Sequence, residues 1–248
     1  MVGCGNESFD EETFTVSGKN DIKEAYENGD LEGKVFDYEE RFNQNDYAGD
    51  MDADSQTKFV EGPTDSNVLI SAPHTTTHIR EGEIRDAEIY TGSTVLLIQA
   101  FTGAHVIYNA HEGEDANYVF GGPYKEKIGD IVEDYNIDLV IDVHGASKSR
   151  EFDLEIGTDH GETVSEERVE FLKYILETNG IHNVHRDEMY PASREGTVTH
   201  QTWHHYRTEA MQLEIHNDYR NPRNDLESYA EMLKSLVYFV DNATHIND

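Results

Sequence analysis

The run Ile137-Asp138-Leu139-Val140-Ile141-Asp142-Val143-His144-Gly145 has the length and apolar character of a strand buried on both faces, and it ends on a histidine. Such strands sit in the middle of largely parallel sheets. Upstream, Val68-Leu69-Ile70 is a second short buried strand, closing at Ser71-Ala72-Pro73-His74. Between them the pattern predicts a helix from Asp86 to about Phe101, ended by Gly103, then a strand at His105–Tyr108 and a helix at Tyr124–Tyr135. Downstream it predicts strands at Phe152–Ile156, near His182–His185 and at Met211–Ile215, with helices at about Ser165–Glu177, Thr197–Tyr206 and Asp225–Val240. Strands alternating with helices of this length predict an α/β fold, a three-layer sandwich with a mixed, largely parallel sheet between helix layers.

Residues 1–66 are polar, acidic and weakly patterned. They read either as a flexible leader with a short helix around Asp21–Tyr26 or as an edge element packed on the domain formed by residues 67–248. No internal repeat or low-complexity segment interrupts the chain.

Charge separates the classes of partner. The 248 residues carry 51 Asp and Glu against 19 Lys and Arg, a formal net charge of -32, spread from Asp10-Glu11-Glu12 to Asp248. Self-repulsion at that charge opposes compaction at low salt and is screened at high salt, so the composition points to a halophilic source. The same field repels phosphate backbones and anionic lipid, which argues against nucleic-acid and membrane-surface partners. An anionic substrate needs local arginines. Cys4 is the single cysteine, so neither an internal disulfide nor a Cys-rich zinc site is available. With no stretch of transmembrane length and no signal-peptide core, a cytoplasmic location is expected. The alternative is a surface lipoprotein anchored at Cys4, because Val2-Gly3-Cys4 resembles the end of a lipoprotein cleavage box.

The residues that could carry chemistry fall at strand ends, where open α/β sheets place their ligands. His74 and His144 both follow buried strands. Two histidines so placed point to a metal, since imidazole is a favoured zinc ligand and a catalytic zinc takes three protein ligands. Asp142, two residues before His144, shares its face of the strand and could orient its imidazole. In Met211-Gln212-Leu213-Glu214-Ile215-His216 the alternation sets Gln212, Glu214 and His216 on one face. A carboxylate within a core strand is costly unless paired, which makes Glu214 a candidate general base; polar residues on an exposed sheet face are the ordinary alternative. The third ligand is open on spacing, among His78, Asp86 and Glu88. His182 and the pair His204-His205 are read as surface or packing residues.

An ordered set of blocks resembles the N-formylglutamate amidohydrolase family. It comprises Ser71-Ala72-Pro73-His74, Glu88-Ile89-Tyr90-Thr91-Gly92, Asp115-Ala116-Asn117-Tyr118, Ile141-Asp142-Val143-His144-Gly145, Arg150-Glu151-Phe152-Asp153 with Ile156-Gly157-Thr158, and Gln212-Leu213-Glu214-Ile215 with Tyr219-Arg220. The blocks span about residues 67–223. The resemblance implies a fold similar to zinc carboxypeptidases and hydrolysis of a linear amide, with Zn2+ held by His74, His144 and Glu88. The family more often has an aspartate where Glu88 stands, which leaves Asp86 as the substitute. Glu214 falls on the family's general base and acid. A bidentate arginine would hold the substrate carboxylate, with Arg150 first and Arg194 second. The substrate class implied is an N-formyl- or N-acyl-amino acid. The competing readings are a carboxypeptidase-like hydrolase of peptide or cell-wall fragments, an inactive zinc- or ligand-binding protein, and a metal-free structural domain.

Overall fold

A computed structural model describes residues 15, 17–63 and 66–246. The Val2-Gly3-Cys4 stretch lies outside the described residues. The chain begins with helices α1 (Ser17–Glu27) and α2 (Asp30–Glu39), a single turn α3 (Gln44–Tyr47) and strand β1 (Thr57–Val60). Strands β2 (Val68–Ala72), β3 (His78–Arg80) and β4 (Glu83–Arg85) precede helix α4 (Thr91–Thr102). Then come β5 (His105–Asn109), β6 (Gly113–Glu114), α5 (Pro123–Tyr135), β7 (Leu139–Ala146), β8 (Leu154–Gly157) and α6 (Glu166–Thr178). The chain closes with β9 (Val184–Arg186), α7 (Val198–Gln201), a π-helical turn at Thr202–Tyr206, β10 (Glu209–His216), α8 (Asn217–Arg220) and α9 (Leu226–Asn242).

Seven strands form one sheet in the order β1-β5-β2-β7-β10-β8-β9. Pairs β5–β2, β2–β7, β7–β10 and β8–β9 are parallel, while β1–β5 and β10–β8 are antiparallel. The sheet is therefore mixed and largely parallel, with helices on both faces, as the alternation of elements predicts. The quoted run lies at its centre: β7 pairs with β2 on one side and β10 on the other.

Strand alternation sorts the two faces. Ile70, Ile141, Val143, Met211, Leu213 and Ile215 point to the side filled by α4, α6 and α9. Leu69, Ile107, Val140 and Ala210 point to the other side, where Tyr124, Ile128 and Ile131 of α5 meet them. Helix α4 is buried from Thr91 to Ile98. A helix apolar all round needs cover on its outer side as well. Residues 17–42 supply it, since Ile22, Ala25, Leu31, Val35 and Phe42 belong to the same core. Gly92 marks the closest approach, because a Cβ there would lie 2.4 Å from the Phe42 ring. The N-terminal segment thus contributes two core helices and the antiparallel edge strand β1.

Helix α4 begins at Thr91 rather than Asp86. Tyr90 stands in the left-handed region at φ 68, which breaks any helix entering from upstream. Residues 86–89 form a connection from a small second sheet, ordered β4-β3-β6, with a β3–β4 hairpin. Among the described residues, no helix is long and apolar enough to cross a membrane.

Candidate functional site

On the α5 face the strands change character halfway along. Leu69, Val140 and Ala210 are covered by α5. Two residues further on stand Ser71, Asp142 and Gln212, and then His144 and Glu214, all buried. Register brings them abreast: Ser71 pairs with Asp142, Gln212 with Asp142, and Glu214 with His144. Since β2, β7 and β10 run parallel, these polar residues gather at the carboxyl end of the sheet.

His74 follows β2 directly, and the hairpin β3–β4 carries the chain out and back, so that the Glu88 amide donates to the His74 carbonyl at 2.9 Å. The Glu88 carboxylate then lies between the two histidines. Oε1 is 2.8 Å from Nδ1 of His74, and Oε2 is 3.0 Å from Nδ1 of His144. Oε2 also accepts the Gly145 amide at 2.9 Å. The far nitrogen of each ring meets a fully buried aspartate: His74 Nε2 is 2.7 Å from Asp115 Oδ1, and His144 Nε2 is 3.0 Å from Asp142 Oδ2. Asp142 is itself fixed by the Ser71 hydroxyl, which donates at 2.7 Å and lies 2.9 Å from the Tyr124 hydroxyl of α5.

Arg220 packs behind the backbone next to Glu88. It is buried, packs on Gly145 where a Cβ would lie 2.4 Å from its Cζ, and donates to the carbonyls of Ile89 and Ala146. Any side chain at position 145 would displace it.

His74, Glu88 and His144 offer one donor atom each within 4.8 Å of one another, and so do His74, His78 and Asp115. The two trios compete for His74. Asp115 is fully buried and already engaged by the Arg80 guanidinium at 2.6 Å and by the Asn117 amide at 3.0 Å. Burial lowers His78 to about 4, so its ring is neutral. Asp115 therefore serves to orient His74, and the trio with Glu88 is the one lining the cavity. Asp86 is exposed and belongs to neither trio.

The electrostatics of this trio suit a cation. Burial opposes charge on His74, but Glu88 and Asp115 override it and raise the imidazole to about 9. His144 is raised well above its ordinary value against the same burial, by Glu88 and Asp142. Glu88 is largely enclosed, which alone would raise its carboxyl, yet the two histidines hold it well below the usual carboxylate range. Two imidazoles and a carboxylate on a cavity wall, each ring held by a buried aspartate, form a donor set that fits Zn2+.

The cavity measures roughly 350 Å³. Glu214 lines it beside the trio, only 7% exposed, and accepts from Gln212 Nε2 at 3.0 Å. Burial, reinforced by Glu88, pushes its carboxyl up to about 7 against the pull of His144. This is the range in which a carboxylate can both take and return a proton. The facing wall is the segment 189–194 together with Thr197. Glu155 anchors it by accepting the amides of Met189 and Tyr190 at 2.6 and 2.7 Å. Lys125, buried and lowered to about 8 by that burial, ties the wall's other end by donating to the carbonyls of Ala116, Val119 and Gly196.

Of the two arginines singled out by sequence, Arg194 lines the cavity, donating to the Asn117 carbonyl at 3.3 Å and lying 4.6 Å from the Tyr118 ring centre. Arg150 is outside the lining and stands 5.4 Å from the ring of Tyr190, which does line it. Arg80 and Tyr190 carry no motif of their own and were not singled out, and Arg220 was visible only at the end of the block Tyr219-Arg220. Asp115 and Asn117 were visible only as members of a quoted block.

No protein-family model matches the chain, and no curated protein matches it. Solved structures do. An N-formylglutamate amidohydrolase from Ralstonia eutropha JMP134 superposes with a TM-score of 0.57 at 11% identity, over 77% of this chain and 98% of that one. The gene product Atu2144 from Agrobacterium tumefaciens gives 0.56 at 11% identity, over 78% and 97%. LapA from Legionella gives 0.52 at 10% identity and spans 95% of this chain and 79% of its own. At these identities the likeness establishes a shared fold.

Proposed function

We propose that this protein is a zinc-dependent hydrolase of a linear amide, acting on an N-formyl- or N-acyl-amino acid. The observation that carries the reading is the meeting of His74, Glu88 and His144 with the buried carboxyl of Glu214 in one cavity. The shared fold with an N-formylglutamate amidohydrolase supports the same reaction class.

His74, Glu88 and His144 would hold the metal, with Asp115 and Asp142 fixing the two rings. When bound there, Zn2+ supplies a Lewis acid that polarises the amide carbonyl and makes a water acidic near neutral pH. Glu214 takes the proton from the attacking water and returns it to the leaving nitrogen, which becomes the free amine as the C–N bond breaks. Arg194 and Arg80 line the cavity wall and would hold the substrate carboxylate, with Arg150 against the ring of Tyr190. In a chain of net charge -32, these cations supply the local attraction an anionic substrate needs. The acidic excess itself fits salty surroundings, where the field is screened within a few ångströms.

The test compares wild type with His144→Ala, both purified in high salt without chelator, for zinc content and for turnover of a panel of formyl- and acyl-amino acids. The expected result is one zinc equivalent fewer in the variant and loss of turnover. Equal zinc in the two proteins removes His144 from the ligand set. Wild type that holds zinc here yet hydrolyses nothing on the panel favours a binding protein.

A further inference from the structure

A second group of donors lies apart from the cavity. Asp159, His200 and His204 place one oxygen and two ring nitrogens within 4.8 Å of one another. His200 Nδ1 is 2.7 Å from Asp159 Oδ2, and His204 Nε2 is 3.5 Å from the same oxygen. The two rings are 4.0 Å apart, centre to centre. An ordinary ion pair explains His200 alone. It does not explain the second imidazole, whose Nε2 is buried without any hydrogen-bond partner. A buried polar atom left unmade costs about 1–3 kcal/mol. The oxygen that His200 reaches at 2.7 Å lies 3.5 Å from His204 Nε2, too far for a good hydrogen bond.

The local backbone is arranged around this meeting. His200 sits in α7, and His204 in the π-helical turn Thr202–Tyr206 that continues it. A π turn is wider than an α turn, and such insertions recur at functional sites. His200 and His204 are four residues apart and so share the side of this helical stretch that meets Asp159. Asp159 is 8% exposed and held in the left-handed region at φ 48, a costly conformation for a residue that only forms a surface ion pair. Its amide donates to the Pro191 carbonyl at 2.7 Å.

We propose that Asp159, His200 and His204 form a second divalent transition-metal site, for an ion of the Zn2+ or Co2+ class. Two imidazoles and a carboxylate are a standard donor set for such ions, and ligands at about 2.1 Å in tetrahedral array stand about 3.4 Å apart, the spacing found between His204 and Asp159. The ion replaces the His200–Asp159 hydrogen bond and gives His204 Nε2 its partner. The site is structural in placement: it ties the 158–163 loop to α7, and Pro191 and Thr197 at either end of the intervening segment line the cavity. An ion there would brace that wall. The proposal is independent of the zinc hydrolase reading.

The experiment strips the full-length protein with chelator in high salt and titrates Co2+, reading stoichiometry and the visible spectrum. Wild type is expected to bind one equivalent more than His204→Gln, whose affinity at this site falls by about 100-fold. Asp159→Asn keeps the shape, removes the anionic donor, and gives the same loss should His204→Gln not fold. The expected pattern includes a rise in melting temperature on adding Co2+ that persists in His144→Ala and shrinks in His204→Gln. A wild type binding a single equivalent, lost in His204→Gln and kept in His144→Ala, supports this site and counts against the catalytic one. Co2+ binding unchanged in His204→Gln and Asp159→Asn overturns the proposal.

Discussion

The two faces of the central sheet follow different rules. Under α4, α6 and α9 the strands are apolar through to their carboxyl ends, and the core there extends through α4 to the N-terminal helices. On the α5 face the strands are apolar only in their first halves, and from Ser71, Asp142 and Gln212 onward they carry polar side chains into a cavity. Helix α5 and the short α7 leave part of the face uncovered, and the uncovered part is where groups that are costly to bury can be held by one another. Leu213 and Glu214 make the contrast sharpest, being neighbours in β10 that face opposite layers.

The largest effect expected is on chemistry. Glu214→Gln removes the proton carrier but keeps the side chain's size and its contact with Gln212. It should lower turnover about 100- to 10,000-fold with metal content and melting temperature close to wild type. Steady-state kinetics beside metal analysis decide it, and turnover within tenfold of wild type would remove Glu214 from its role. Leu213→Ala is the matched change on the other face. Leu213 is fully buried, so the substitution should cost about 2–5 kcal/mol by urea unfolding, with kcat retained by the protein that remains folded. If Leu213→Ala instead abolished kcat in folded protein, the division of labour between the faces would be wrong.

A smaller effect tests the support behind the trio. Asp142→Asn preserves the reach to Ser71 but lets the His144 ring adopt the wrong tautomer. Weakening of zinc affinity by about 10- to 100-fold is expected, with secondary structure unchanged. Competition with a chromophoric chelator measures it, and unaltered affinity would reduce Asp142 to a packing residue.

The same contrast explains what could be read from sequence. β7 and β10 were legible because burial on both faces writes continuous or alternating apolar runs, and their polar residues at 142, 144, 212 and 214 stand out against them. The start of α4 was not legible, because nothing in Asp86–Tyr90 announces that Tyr90 takes a positive φ. The hairpin β3–β4 has three-residue strands, too short to show a period, and it is this hairpin that returns Glu88 to His74. Spacing therefore left three candidates for one ligand position. The short helix expected around Asp21–Tyr26 is the middle of α1, but the helices before residue 40 bury few apolar residues each, Ile22 and Ala25 in α1, Leu31 and Val35 in α2, so the full length of α1 and the whole of α2 were diluted below notice. Arg194 and Arg150 differ only in which loop turns inward, and that is set by Glu155 gripping the wall from β8.

The faintest expected effect lies at the outer layer, where the thick face ends. Asp241 of α9 meets the first turn of α1, and its Oδ2 is buried without a hydrogen-bond partner. Burial raises its carboxyl from 3.8 to about 6; the Gly18 amide offsets this in part and Asp21 adds to it. A carboxyl raised in the folded state binds an extra proton there, so stability is fully present below about pH 4 and is lost as pH rises through 6. The full shift corresponds to about 3 kcal/mol, and because the side chain is only partly buried, solvent screening reduces it to about 1 kcal/mol. Asp241→Asn should therefore stabilise the protein by that amount at pH 7.5 and be neutral near pH 4, as read from urea midpoints at constant high salt. The neighbouring Asn242, which clasps the Thr15 amide and carbonyl, keeps the segment before α1 tied to α9 in the variant. A gain of equal size at both pH values would mean that Asp241 costs stability through shape rather than charge, and the acidic outer layer would then carry no buried penalty at this contact.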